Sequence, residues 1–409
     1  MGPLNIAVIS DLHVGAGARA ADLCLHTDPK VPRDKDYVDT FVRFLEREGI
    51  TADFLIVPGD VSNAAQPDEF KVASINIERI RVALSVSEGR LIVVPGNHDV
   101  DWSIIKHYPD DRSGLRFKQR YDPLCQGDCV FHKVFARAQH RSLLAAPFCC
   151  VWEFDNALVA GHNSSLHDGP NAEVHHGLVP SETVVELERI LSRLDRSEEK
   201  LKIFVVHHHP ILYSDPVGDE PDFSAMTNAE NLLNLLEQFR FDLIIHGHKH
   251  KPNFNTYIKN STHPLAILGA GSFSYLLDTR WSGLVNNQFH LVRVKKRDAD
   301  SGLICGSVES YTYLTGHGWK PSAPHNGIEH QRSFGRYAIP ADLCKHLRPA
   351  IERVFKSHSH VKWQELVDGD QTLEFLQRDL IVKALDTLGV EMGFERYSNV
   401  PQEIILLRK

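Results

Sequence analysis

The feature that most constrains this chain is a set of short apolar runs, each stopped by a cluster of Asp, Asn, His and Gly. Asn5–Ser10, Phe54–Val57 and Arg90–Val94 are rich in Ile and Val, and runs of this length suit strands buried on both faces. Between them, Lys35–Glu48 places Val38, Phe41, Val42 and Leu45 at helical spacing, and Phe70–Leu84 does so with Val72, Ile75, Ile77, Ile80 and Leu84. This β-α-β-α-β order predicts a parallel sheet, whose functional sites lie beyond the carboxyl ends of its strands.

The rhythm resumes after an irregular stretch. Ala157–Ala160, Lys202–Val206 and Leu243–Ile245 read as strands, with helices at Ser181–Arg196 and Asn228–Arg240. Leu265–Leu268, Phe289–Val294 and Val308–Leu314 come next with no helix between them, which predicts the antiparallel part of a second sheet. The expected fold class is α/β (α+β), a β-sandwich flanked by helices, over residues 1–315. Residues 101–148 read as a cap-like insertion and residues 316–336, rich in Gly, Pro, Ser and His, as a linker. Residues 337–409 read as a small, mainly helical C-terminal domain, with helices at Ala341–Phe355 and Thr372–Leu388 and a last strand at Glu403–Leu407.

The residues just past each strand carry chemistry. The clusters are Asp11-Leu12-His13, Gly59-Asp60, Gly96-Asn97-His98-Asp99, His207-His208-His209-Pro210 and His246-Gly247-His248-Lys249-His250. Carboxylates, imidazoles and an amide oxygen converging at one sheet edge are the donor set of a metal centre. In an extended segment Asp11 and His13 point the same way, as do His248 and His250, so each pair could grip one ion. Asp60 could bridge two ions, and Asn97 adds a ligand without charge. Among 409 residues the 24 histidines are the one unusual count.

These motifs together resemble the calcineurin-like metallophosphoesterase superfamily over roughly residues 5–314, and the resemblance implies its four-layer αββα sandwich. It also implies two metal ions, one held by Asp11, His13, Asp60 and His250, the other by Asp60, Asn97, His208 and His248. On that matching His207 is an extra residue and His209 sits beside a ligand. The ligands admit Mn, Fe, Zn or Co. Two such ions can hold a bridging hydroxide and neutralise charge in an in-line displacement. His98 is the expected catalytic group for the leaving or a non-bridging oxygen, with Asp99 orienting its ring.

The phosphoprotein phosphatases of this superfamily carry Gly-Asp-x-x-Asp-Arg-Gly and Gly-Asn-His-Glu, whereas this chain has Gly59-Asp60-Val61-Ser62-Asn63-Ala64 and Asp99. The expected activity is therefore hydrolysis of a phosphodiester, such as a cyclic nucleotide or other small ester. A nuclease is the alternative, and an inactive scaffold or interaction protein the third reading. Within the insertion Lys106, Arg112, Arg116, Lys118, Arg120, Lys133, Arg137 and Arg141 form a basic stretch; the alternatives are a lid for polyanions or nucleic acid and an ordinary solvated surface. Lys118, Arg120, His209 and Asn163 are the candidate substrate contacts, Asn163 because Gly161–Ser165 comes after a strand end. Cys125, Cys129 and His132 have loose zinc-like spacing without a fourth ligand.

The formal charge of −8 opposes wholesale nucleic-acid binding. There is no apolar run long enough to span a membrane, and with a strand-like run beginning at Asn5 no secretory leader is expected. Seven irregularly spaced cysteines fit a reducing compartment, so a cytoplasmic location is expected. The C-terminal helices could serve a homo-oligomer contact.

Overall fold

A computed structural model describes the chain except Met1 and residues 26–32, 108–118, 126–128, 143, 145–147, 167, 169–175, 195–199, 214–223, 259–262, 278–284, 300 and 324–326, and except the side chains at 105, 125, 130 and 402. By compactness it divides into two units, Met1–Val292 with Glu309–His330, and Arg293–Val308 with Gln331–Lys409.

The first unit is built on two large sheets. In one the strand order is Gly318–Pro321, Ile304–Leu314, Gln288–Arg297, Leu4–Val8, Phe54–Val57, Leu91–Val93. Its site-bearing half is parallel, in the registers Ile6↔Phe54 and Leu55↔Leu91. The other sheet runs His140–Arg141, Cys149–Glu153, Ala157–His162, Leu201–Val206, Leu243–His246, Leu265–Gly269, Asn253–Tyr257, and its four strands from Ala157–His162 to Leu265–Gly269 are mutually parallel.

The sandwich arises from strand alternation. Val151, Leu158, Ala160, Phe204, Val206, Ile244, Leu265 and Ile267 share a buried cluster with Leu187, Ile190, Leu232 and Leu236 of the helices Ser181–Leu191 and Ala229–Gln238. Sheets meet on the opposite face, where the Phe54 and Phe154 rings lie 5.0 Å apart. Gly161 permits that approach, because a Cβ there would come within 2.9 Å of Val94 Cγ1. On the outside of the first sheet, Tyr37–Glu48 buries Tyr37, Val38, Phe41, Phe44 and Leu45 along one stripe and ends at Gly49 with φ 62°. Phe41 packs on Phe289, with ring centroids 5.0 Å apart.

Two expectations change. The three late strands do not stay together: Leu265–Gly269 lies parallel to Leu243–His246, while Gln288–Arg297 and Ile304–Leu314 return to the first sheet beside Leu4–Val8. The stretch read as a linker carries the strands Gly318–Pro321 and Gln331–Phe334. A three-stranded sheet, ordered His360–Lys362, Ile405–Arg408, Phe394–Tyr397, accompanies the C-terminal helices Pro340–Phe355 and Arg378–Met392. These elements enclose their own core of Leu343, Leu347, Ile351, Trp363, Leu385, Leu388, Phe394 and Leu406.

Candidate metal centre

Each functional side chain sits one to five residues past the end of a parallel strand. Leu4–Val8 leads to Asp11 and His13, Phe54–Val57 to Asp60, Leu91–Val93 to Asn97, Leu201–Val206 to His207, and Leu243–His246 to His248 and His250. The geometry is not the extended alternation expected of Asp-x-His. Asp11, His13, Asp60, His248 and His250 all have left-handed backbones, with φ of 51°, 48°, 50°, 75° and 54°. Non-glycine residues pay conformational energy to sit there, and long-range pairing holds them. The Asp11 amide donates to Gly59 O at 3.2 Å and the His13 amide to Asp60 O at 3.0 Å. The His248 amide donates to Asp11 Oδ1 at 3.1 Å.

Two groups of donors result. In the first, one ligand atom each from Asp11, His13, Asp60 and His250 lies within 4.8 Å of the others, and in the second the same holds for Asp60, His207 and His248. Asp60 belongs to both. Asn97 completes the second group, its Oδ1 lying 3.0 Å from His207 Nε2 and 3.1 Å from His248 Nδ1. In the first group His13 Nε2 and His250 Nε2 face each other at 3.0 Å, with Asp60 Oδ2 3.5 Å from the former and Asp11 Oδ1 3.3 Å from the latter.

This arrangement fits two cations. Burial pushes the His13 and His248 imidazoles well below their ordinary pKa, so each keeps a lone pair for a metal. For His207 burial acts downward too, but the charge of Asp60 and its hydrogen bond hold the ring up to about 10. The buried carboxylate thus draws positive charge to the place where an ion would sit. All donors are oxygen or nitrogen, and all but the half-buried His248 and His250 are buried.

Comparison with known proteins agrees with this geometry. The family described as calcineurin-like phosphoesterase matches residues 4–252, which contain every member of both groups. The chain belongs to this family. The glycerophosphodiester phosphodiesterase GpdQ of Enterobacter lignolyticus (strain SCF1) is 27% identical over 207 residues, 50% of this chain and 58% of that protein. The chain therefore matches little more than half the length of that relative. Among solved structures, the purple acid phosphatase PPD1 from seeds of yellow lupin (Lupinus luteus) aligns with a TM-score of 0.50 and 14% identity, over 82% of this chain and 53% of that one. That likeness is one of fold.

Within this phosphoesterase framework the structure brings His207, and not His208, to the donors of the second group. Sequence matching placed His208 in the second group, but the ring that reaches Asp60 and Asn97 is His207, whose Nε2 lies 3.2 Å from Asp60 Oδ2. His207 Nδ1 lies 2.8 Å from Pro58 O, which fixes the ring so that Nε2 faces the donors. Gly59, with φ 102°, makes the room: a Cβ there would meet His207 Nδ1 at 2.4 Å. His208 turns the other way. Its Nδ1 is 2.8 Å from Ser164 Oγ and its Nε2 3.1 Å from Asp168 Oδ2, all fully buried, while its ring packs 4.2 Å from that of His248. Asp168 carried no motif to single it out.

Asp99 also differs from expectation. Its carboxylate accepts from the amides of Val61, Ser62 and Gly96 and from Ser62 Oγ, tying the Asp60 turn to the Asn97 turn. Burial and the charge of Asp60 raise it to about 6, against the pull of those amides. The group that orients His98 is Asn63, whose carbonyl lies 2.8 Å from His98 Nδ1. His98 is half-buried, its amide donates to Asp60 Oδ1 at 2.8 Å, and its ring meets that of His13 edge-on at 4.6 Å.

The other candidates are less exposed than a substrate contact requires. Arg120 is 4% exposed and its guanidinium donates to Leu166 O, so it is a buried structural charge. Asn163 is buried, its Oδ1 accepting from the Ser165 amide at 3.1 Å. His209 is buried with its ring 6.2 Å from that of His248. Lys118, Arg112 and Arg116 lie outside the described residues. Arg137, which is exposed, is paired with Glu88, and the exposed Arg141 donates to Ala138 O. Cys129 Sγ sits 3.1 Å from Ser74 Oγ, and the Cys125 side chain is outside those described. Among the described residues no helix is long and apolar enough to cross a membrane.

Proposed function

We propose that this chain is a dinuclear metal-dependent phosphodiesterase acting on a small phosphodiester. The observation that carries the reading is the single carboxylate of Asp60 shared by two donor groups. Asp11, His13, Asp60 and His250 would hold one ion, and Asp60, Asn97, His207 and His248 the other. When bound, such a pair supplies Lewis acidity to the phosphate and lowers the pKa of water toward neutrality. The name of the GpdQ relative, a glycerophosphodiester phosphodiesterase, supports a diester over a monoester.

The chain's own residues would do the rest. Asn63 O accepts from His98 Nδ1, which leaves Nε2 to the substrate. From there the protonated ring would donate to the leaving oxygen. The His98 amide bonded to Asp60 Oδ1 couples the position of this imidazole to that of the shared carboxylate. Asp99, by gathering three amides, would keep the turns of Asp60 and Asn97 in register.

The test is hydrolysis of bis(p-nitrophenyl) phosphate beside p-nitrophenyl phosphate, with Mn(II) added and with Asp60→Ala and Asn97→Ala as controls. Diester cleavage that chelator stops and both substitutions abolish is the expected result. Cleavage that survives either substitution would remove the shared-carboxylate site from the reaction.

A further inference from the structure

The turn from Ser10 to His13 is held by three buried hydroxyls, those of Ser10, Ser272 and Ser274. Ser272 Oγ donates to the carbonyl of Asp11 at 2.8 Å, and Ser274 Oγ donates to the carbonyl of Leu12 at 2.7 Å. These two bonds fix the backbone. The third ends on a metal-binding group instead: Ser10 Oγ donates to Asp11 Oδ2 at 2.5 Å.

The two oxygens of Asp11 therefore have different neighbours. Oδ2 accepts from Ser10 at the short distance of a charge-assisted O–H···O⁻ bond, and from the His248 amide only at 3.3 Å. Oδ1 accepts from that amide at 3.1 Å and lies 3.3 Å from His250 Nε2, a donor of the first group. Gly247 keeps room for this arrangement. A Cβ there would come within 2.2 Å of Ser10 Oγ and 2.6 Å of Asp11 Oδ2. Ser10 and Asp11 are both fully buried, so bulk water does not reach Oδ2 to take the place of the hydroxyl.

A carboxylate can hold a cation through one oxygen or through both. We infer that Ser10 is a positioning residue for the first ion: it takes up Oδ2, so that Asp11 offers the ion Oδ1 alone. The inference rests on the dinuclear reading above and goes beyond it by naming a residue that acts on an ion through another side chain. Groups that hold a ligand from behind are worth about 10- to 100-fold in metal affinity. Ser10→Ala frees the carboxylate from its fixed orientation and should weaken the first ion by that factor. The second ion, whose donors do not include Asp11, should be held as before.

The experiment titrates Mn(II) by calorimetry into wild type, Ser10→Ala, Ser10→Thr and Ser274→Ala, and follows the bound ion by electron paramagnetic resonance. Ser274→Ala is the control for packing, because it removes an equally buried hydroxyl from the same turn but one bonded to backbone. The series is repeated with His207→Ala added, which takes a donor from the second group and keeps all four of the first, so that the remaining ion reports on the first group alone. Ser10→Ala should lose about 10- to 100-fold in affinity for one of its two ions and change the spectrum of the ion in the first group. Ser10→Thr keeps the hydroxyl and should restore both, while Ser274→Ala should lower Tm and leave both as in wild type. Should threonine not fit, the contrast between Ser10→Ala and Ser274→Ala decides by itself. Equal losses in those two variants would make Ser10 a packing residue and overturn the inference, as would an affinity and spectrum unchanged in Ser10→Ala. Failure of wild type to bind Mn(II) would instead remove the dinuclear reading beneath it.

Discussion

Alanine at His207 and, in a separate variant, at His208 should damage two different properties. His207 Nε2 lies 3.2 Å from Asp60 Oδ2 and 3.0 Å from Asn97 Oδ1, so its loss takes one of four donors from the second group. Removing even an outer partner of a ligand lowers metal affinity about 10- to 100-fold. Loss of the ligand itself should weaken the second ion by about 100-fold or more, equivalent to about 2.8 kcal/mol. His208→Ala leaves Asp168, 1% exposed, without the imidazole 3.1 Å away and takes from Ser164 Oγ its ring partner. Burial holds the His208 ring below its ordinary pKa, so the contact is a neutral one, and leaving its buried partner unsatisfied costs roughly 1–3 kcal/mol. The charge of Arg120 near Asp168 moves this toward the lower figure. A fall of several degrees in Tm is expected, with metal affinity nearly intact. Both variants are dialysed against chelator, titrated with Mn(II) by calorimetry, analysed for bound metal by mass spectrometry and melted in the metal-free form. His207→Ala should hold one ion per chain and His208→Ala two. The reverse result would refute the placement of His207 in the second group.

Gly96→Ala would set a Cβ 2.2 Å from Asp60 Oδ1 and 2.3 Å from its amide, displacing the shared carboxylate; metal analysis should then find less than one ion per chain. His98→Ala should lower kcat on the order of 100- to 10,000-fold with KM little changed, the loss growing as the leaving group becomes more basic, checked with a series of substituted phenyl diesters. In the second unit burial would raise Asp370, but bonds from Thr372, His346 and Arg336 outweigh it and hold the carboxyl below its ordinary range. A depressed carboxylate stabilises above its unfolded pKa of about 4 and stops doing so as pH falls through its folded value. Wild type should therefore melt above Asp370→Asn at pH 7, with the gap closing below about pH 4 by scanning calorimetry.

The candidate ligand clusters were legible because each ends an apolar strand, and sites in parallel sheets lie beyond the carboxyl ends of the strands. The first group, Asp11, His13, Asp60 and His250, came together as expected. His207 was missed because three consecutive histidines give no sequence cue to which way each ring turns; that depends on Pro58 O and on the space above Gly59. The period-two argument for Asp-x-His failed for a related reason: both residues leave the strand and adopt left-handed backbones. Asp168 belongs to a segment without a motif, and Asn63 was read only as part of the run Gly59–Ala64; tertiary contact brings both to the centre. The late strands were misplaced because an apolar run does not state which of two sheets it joins. Of the basic residues of the insertion, Lys106, Lys133, Arg137 and Arg141 are exposed, as a solvated surface would have them, but the burial of Arg120 is a property of packing that composition does not encode.

The distance along the chain between partners gives the centre an order of assembly. His248 bonds Asp11 across 237 residues, and His13 meets His250 across the same span. During synthesis a ribosome that has released Asp11, His13 and Asp60 has exposed only three of the four donors of the first group, and the second still lacks His248. Neither group is complete until the segment through His250 has left the exit tunnel. Metal loading would thus report that the chain has been made at least through His250, and a chain interrupted before that point would carry carboxylates gathered for ions it cannot retain.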